Sequence, residues 1–149
     1  MIPRILIIAG SDSGGGAGIQ ADIRTVTMLG GHAMTVITAI TAQNTLGVEA
    51  VEPVAAEMVL KQIDAVVADI GVDAVKIGMI GSAGTAHAVA DRLQHIDAPV
   101  VFDPVMVAGR RAPHAPGEPN APEEGRKGVG GVGTPKPPPL YLEARRGVG

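Results

Sequence analysis

Apolar and polar positions fall in alternating blocks along the first 108 residues. The first apolar block, Ile5–Ala9, is short, uninterrupted and rich in β-branched side chains, which predicts a buried strand. A helical pattern spans Ala17–Leu29 and stops at Gly30-Gly31. Ala33–Ile40, rich in Val, Ile and Thr, predicts a second strand. Thr41–Val54 reads as a connection with a short strand near Val48–Val51. Ala55–Ile70 reads as a helix that Gly71 ends, with Met58, Ile63, Val66, Val67 and Ile70 on or near one face. Ala74–Ile80 is a strand interrupted by Gly78, and Ser82–Ile96 a helix with Ser82 as N-cap. Val100–Val107 closes the series as a strand containing Asp103-Pro104.

Strands alternating with helices of this length predict an α/β fold of βαβ units, with a parallel sheet covered on both faces. Ligands of open α/β sheets bind beyond the carboxyl ends of the strands. Ser11-Asp12, Gln43-Asn44, Met79 and Asp103 fall at or near such ends and should gather along one edge of the sheet.

At residue 109 the pattern stops. Residues 109–149 hold 8 of the 12 prolines and 9 of the 21 glycines, with few apolar side chains other than alanine. Such a segment cannot bury enough surface to offset its ordering entropy, so disorder is expected. Pro135-Lys-Pro-Pro-Pro139 should sample polyproline II. The division is therefore residues 1–108 as one folded unit and residues 109–149 as a tail. Charge divides the same way. Residues 1–108 carry 5 basic and 11 acidic side chains, residues 109–149 carry 7 and 4. The acidic body argues against nucleic acid as the main partner. One Phe and one Tyr leave the core to Val, Ile, Leu, Ala and Met, and the lack of cysteine removes disulfides, thiolate metal sites and thiol nucleophiles. The apolar run near the N-terminus is too short for a signal peptide or a membrane span, so a cytoplasmic location is the default expectation.

Several groups could carry chemistry. Gly14–Gly18 is not a Walker A loop, because no Gly-Lys-Ser/Thr follows, and Ile19 stands where a Gly-x-Gly-x-x-Gly motif needs its third glycine. The turn either is a structural tight turn or presents backbone N–H groups at a helix N-terminus to a polar or anionic ligand. Asp22, about one and a half turns into its helix, either answers the helix dipole or accepts a hydrogen bond from a ligand hydroxyl. Gln43 and Asn44 offer amide donors and acceptors, which suit a heteroaromatic edge or an amide-capped turn. Asp103 either bridges to Mg²⁺ through water or bonds its own turn. Met79 is a core residue or an apolar ligand wall, and Met106 is most simply core. Histidines 32, 87, 95 and 114 lack ligand spacing and read as surface residues.

Four blocks in register are similar to the hydroxymethylpyrimidine/phosphomethylpyrimidine kinase family of thiamine biosynthesis, within the ribokinase-like superfamily. They are Ile7-Ile-Ala-Gly-Ser-Asp-Ser-Gly-Gly-Gly-Ala-Gly-Ile-Gln-Ala-Asp22, Val36-Ile-Thr-Ala-Ile-Thr-Ala-Gln-Asn-Thr-Leu-Gly-Val48, Lys76-Ile-Gly-Met-Ile80 and Val101-Phe-Asp-Pro-Val-Met-Val-Ala108. The resemblance implies a three-layer αβα fold with a mostly parallel sheet. It implies phosphorylation of 4-amino-5-hydroxymethyl-2-methylpyrimidine and then of its monophosphate, with ATP and Mg²⁺. By position, Gln43 resembles the residue that pairs with the aminopyrimidine edge. Asp22 resembles the acid near the ring and hydroxymethyl substituents, Gly10, Met79 and Val105 the pocket walls, and Asp103 the acid near the Mg²⁺–phosphate region.

The departure from the family is equally specific. Its members continue after the Asp-Pro-Val-Met-Val-Ala block with more strand–helix units that hold the nucleotide site and a catalytic Cys or Asp. Here Gly109-Arg-Arg-Ala-Pro-His114 follows, and no Gly-x-Gly-Cys or Gly-x-Gly-Asp sequence occurs. The composition of the tail is that of an out-of-frame reading of GC-rich DNA, which predicts a frameshift or gene-model error near residue 108. The expectations are a chain with little phosphotransfer and no tight hold on ATP or Mg²⁺, an incomplete sheet, and homodimerisation or aggregation through the exposed sheet edge. Two other readings are a pyridoxal kinase-like enzyme and a non-catalytic pyrimidine-binding remnant.

Overall fold

The structure is a computed structural model that describes residues 1–103. Its elements in chain order are β1 (Arg4–Asp12), α1 (Gly18–Met28), β2 (His32–Gln43), β3 (Val48–Pro53), α2 (Ala56–Asp69), β4 (Ala74–Ile77), α3 (Ala83–Leu93) and β5 (Val100–Phe102). They form one five-stranded sheet in the order β3-β2-β1-β4-β5. β1 pairs in parallel with β2 and β4, and β4 with β5, while β3 runs antiparallel to β2.

Residues 6–10 of β1 are all buried, because the strand lies in the middle of the sheet with helices on both faces. Leu6 and Ile8 face the larger core with Met34, Val36, Val59, Ile63, Val75, Ile77, Val89 and Leu93, contributed by β2, α2, β4 and α3. Ile7 and Ala9 face the other way and meet Ile19 of α1. The uninterrupted apolar run is thus two alternating faces, each with its own partner.

On α2 the buried side chains are Val59 and Ile63, while Met58 is 52% exposed and Ile70 39% exposed. Met58 therefore falls off the expected face, whereas Ile70 keeps the line of Ile63 but stands at the C-cap of the helix. Met58 lies one position before Val59, which turns it about 100° away from the sheet. Val66 and Val67 pack against the core as expected.

The short strand near Val48–Val51 is β3, and its partner β2 runs three residues past the expected Ile40. Asn44 closes the hairpin: its Oδ1 accepts the N–H groups of Leu46 (2.8 Å) and Gly47 (3.2 Å). β3 begins its pairing at Ala39, so Ile37 lies outside that ladder. Gln62 of α2 supplies the missing partner. Its Oε1 accepts from the Ile37 N–H (2.9 Å) and its Nε2 donates to the Ile37 carbonyl (3.1 Å), so a helix side chain replaces a neighbouring strand.

Ser82 caps α3 as expected, its Oγ accepting from the Thr85 N–H at 3.1 Å. α2 and α3 are joined by an Arg92–Asp64 ion pair, and Arg4 of β1 is joined to Asp73 at 2.6 Å. β4 ends at Ile77, before Gly78. The continuation of β5 toward Val107, Val105, Met106, His114 and the tail lie outside the described residues.

Candidate active site

The carboxyl ends of β1, β2 and β4 meet around Gly10. A β-bulge between Ala9 and Ser11 shifts the β1–β2 register there, so the pairing resumes at Ser11 with Ile40. A Cβ on Gly10 would stand 2.7 Å from the Met79 methyl, so two expected pocket walls are in contact. A Cβ on Gly18 would stand 2.3 Å from the Gly10 carbonyl oxygen, and Gly18 has φ +55°. Only glycine lets the start of α1 approach the end of β1 so closely. The Met79 carbonyl is held in turn by the Thr38 hydroxyl at 2.6 Å.

The glycine-rich turn does not present its amides to a ligand. Asp12, only 5% exposed, folds its carboxylate back into the turn. Its Oδ1 accepts from Gly14 N–H (2.8 Å), and its Oδ2 from Gly16 (2.9 Å) and Ala17 (2.8 Å). The Gly15 N–H goes to the Asp12 carbonyl at 3.0 Å. Four successive amides are thereby taken by one residue. The charge also sits before the N-terminus of α1, where the helix dipole favours it and where Ala17 offers no side-chain cap. The anion cradle that a strand, glycine-rich turn and helix suggest is filled by the chain itself. The missed signal was the aspartate at the start of the turn, two residues before its first glycine amide.

Gln20 and Ser13 fasten the turn on either side. Gln20 accepts from the Asp12 N–H (2.8 Å) and donates to Ser11 Oγ (2.8 Å). Ser13 donates to the Gln43 carbonyl (2.6 Å) and accepts the Gln43 N–H (2.7 Å). The backbone of Gln43 is therefore clamped to the turn. Its side chain is half-buried, with Oε1 3.4 Å from the Thr41 hydroxyl, and Nε2 makes no hydrogen bond among the described residues. A fixed backbone with an unsatisfied amide donor can recognise an acceptor on a flat polar ligand. Asn44, by contrast, is spent on the hairpin turn.

Asp22 and Asp103 converge on Lys76. Lys76 Nζ lies 2.7 Å from Asp22 Oδ2 and 3.8 Å from Asp103 Oδ2, with side-chain exposures of 25% for the lysine, 21% for Asp22 and 62% for Asp103. Strand alternation produces this geometry. Val75 and Ile77 enter the larger core, so Lys76 between them must face the side of the sheet that carries α1. The sequence signal was a charge in the centre of a buried strand. Asp22 thus answers a specific cation rather than only the dipole of its helix.

Among the described residues no group of three or more His, Cys, Asp or Glu side chains could hold a metal ion. Asp103 offers one exposed carboxylate, compatible with a single water-bridged contact to Mg²⁺ but not with a complete site. The amides of Gly14–Ala17 are occupied by Asp12 and are not available to a phosphate. His32, His87 and His95 are exposed, as expected. No helix among the described residues is long and apolar enough to cross a membrane.

Residues 12–121 match the family described as phosphomethylpyrimidine kinase. The hydroxymethylpyrimidine/phosphomethylpyrimidine kinase of Rhizobium meliloti is 60% identical over 103 residues, which cover 69% of this chain and 39% of the relative. The crystal structure of the phosphomethylpyrimidine kinase of Clostridium difficile 630 superposes with a TM-score of 0.67 at 49% identity, covering 72% of this chain and 47% of that one. The pyridoxal kinase of Staphylococcus aureus, solved with AMP-PCP and pyridoxal, superposes with a TM-score of 0.66 at 34% identity, covering 72% of this chain and 40% of that one. The chain thus spans about two fifths of the curated relative and about half of the nearer solved structure. The mixed, mostly parallel sheet with helices on both faces is shared with these kinases.

Proposed function

The chain belongs to the phosphomethylpyrimidine kinase family, and from that premise we propose that residues 1–103 form the substrate side of a kinase acting on hydroxymethylpyrimidine and its monophosphate in thiamine biosynthesis. One observation carries the reading. Gly10, Met79 and Gln43 stand at the carboxyl ends of β1, β4 and β2, with the Asp22–Lys76 pair joining α1 to β4 beside a turn whose amides Asp12 engages. A flat ring would lie against the apolar wall that Gly10 and Met79 form together, the Met79 methyl being seated where a Cβ on residue 10 would stand. The Gln43 amide would pair with the aminopyrimidine edge, and Asp22 would accept from the hydroxymethyl group.

ATP would supply the phosphoryl group and Mg²⁺ would screen the charge on its phosphates. On this reading the described residues bind and orient the acceptor. Such chemistry depends on positioning and charge stabilisation more than on covalent steps by the protein. The expectation for the 149-residue polypeptide is binding of the pyrimidine with little phosphate transfer.

Calorimetric titration with 4-amino-5-hydroxymethyl-2-methylpyrimidine, alongside a coupled assay for ADP release, tests both parts. Saturable binding with no turnover is the expected result. Failure to saturate at millimolar ligand refutes the binding reading, and ATP-dependent turnover refutes the inactivity. The likeness to pyridoxal kinase supports a second reading. Tighter binding of pyridoxal than of the aminopyrimidine would favour it, whereas the Gln43 amide favours the pyrimidine.

A further inference from the structure

The Lys76 side chain reaches the two acids from a strand that would otherwise be wholly apolar toward its neighbours. Val75 and Ile77 are buried, and Lys76 itself keeps only a quarter of its side chain in solvent. Holding an ammonium in that place is costly unless it is paired. The pairing is uneven: Asp22 Oδ2 at 2.7 Å makes a hydrogen bond, whereas Asp103 Oδ2 at 3.8 Å makes only an electrostatic contact. Asp22 has no other side-chain hydrogen bond among the described residues, so one carboxylate oxygen is committed and the other is open. A carboxylate on a helix has two side-chain torsions to fix before it can aim at a ligand. The bond to Lys76 restrains both, because it ties α1 to β4.

We propose that Lys76 is a positioning residue that aims the free oxygen of Asp22 into the acceptor site and ties that acid to Asp103 at the end of β5. The inference rests on the substrate-side reading above and extends it to a residue outside the expected ligand contacts. Lys76 acts through Asp22, so its loss should matter only while Asp22 is present. A lysine that merely filled space would behave differently: its removal would change stability and leave no dependence on Asp22.

The test is a binding cycle on the full chain with the aminopyrimidine as probe. Lys76→Met should weaken binding by about tenfold or more, the order expected from one charge-assisted hydrogen bond. Lys76→Arg should recover most of it, and K76M should add nothing in an Asp22→Asn background. Undiminished binding by a folded K76M variant, or effects of K76M and D22N that multiply, would overturn the proposal. A ligand-free arm separates this outcome from a failure of the substrate reading. The Lys76 side-chain ammonium should give a protected NMR resonance at neutral pH that D22N abolishes and Asp103→Asn leaves in place. If the wild-type chain binds no pyrimidine, the substrate reading and the positioning role fall together, and the ammonium resonance reports only the Lys76–Asp22 contact. If D22N leaves that resonance unchanged, the positioning role falls even where the pyrimidine binds.

Discussion

Replacing Asp12 by alanine should cost the fold about as much as removing a piece of its core. The carboxylate accepts three backbone N–H groups at 2.8–2.9 Å. Hydrogen bonds to a charged group contribute about 1.5–3 kcal/mol each when buried. Gly14, Gly16 and Ala17 are themselves exposed, so water can replace part of what is lost. Discounting each bond to about 1 kcal/mol gives about 3 kcal/mol for Asp12→Ala. Asp12→Asn keeps one acceptor oxygen and turns a donor toward the other amides, so it should fall between the two. With a urea slope of about 1.5 kcal/mol/M, the alanine variant should unfold at about 2 M less urea by far-UV circular dichroism. The emptied turn would then hold inward-facing amides at a helix N-terminus, an anion site by construction. Sulfate should restore part of the midpoint to Asp12→Ala and do nothing comparable for the wild type. A midpoint within about 0.5 M of wild type would refute the accounting. Lack of any selective sulfate rescue would refute the filled cradle.

Three further outcomes follow from other contacts. Gly18→Ala should destabilise the chain by several kcal/mol, since its Cβ would stand 2.3 Å from a backbone oxygen at φ +55°; a thermal midpoint within a degree or two of wild type would contradict this. Gln62→Ala leaves the N–H and carbonyl of Ile37 without their partner, which should cost about 1–3 kcal/mol in urea unfolding, and an unchanged urea midpoint would contradict it. Hydrogen bonds from Arg4 hold the Asp73 carboxyl down at about 2. Its folded value lies below the ordinary one, so the pair stabilises the fold above about pH 4, and that contribution is lost as the pH falls toward 2. Asp73→Asn should therefore lower the melting temperature at pH 7 and converge with wild type near pH 2; a difference independent of pH would rule out the linkage.

The order and type of the elements were legible because the hydrophobic periods are clean. Each apolar block is bounded by Gly or by a polar turn, and each period matches the surface that its element buries. Element ends were less legible. β1 and β2 run on through Gly10–Asp12 and Thr41–Gln43, because pairing between strands carries polar residues that their own sequence would assign to a loop. The face of α2 was misjudged at Met58, since a long flexible apolar side chain can stand in solvent without disturbing the period. The resemblance names Gly10, Met79, Gln43, Asp22 and Asp103, and the structure sets Gly10 against Met79 and brings Asp22 and Asp103 to Lys76. Lys76 was passed over as part of a block although it joins two of them. By its position alone Asp12 is one more polar residue of the turn. Both roles depend on which way a side chain folds back, and linear spacing does not encode that.

The two faces of the sheet are unequally built. Among the described residues the side covered by α2 and α3 gathers ten buried apolar residues, whereas α1 and the sheet beneath it share a cluster of three. Cooperative opening follows buried contact, so α1 and its turn should detach in a local excursion well before the rest of the sheet unfolds. Amide exchange in α1 would then run faster than in α2 in the free chain. A ligand engaging Asp22 from one side of α1 would slow that exchange without touching α2. The thinly supported helix is thus the chain's own reporter of occupancy, readable residue by residue without any turnover.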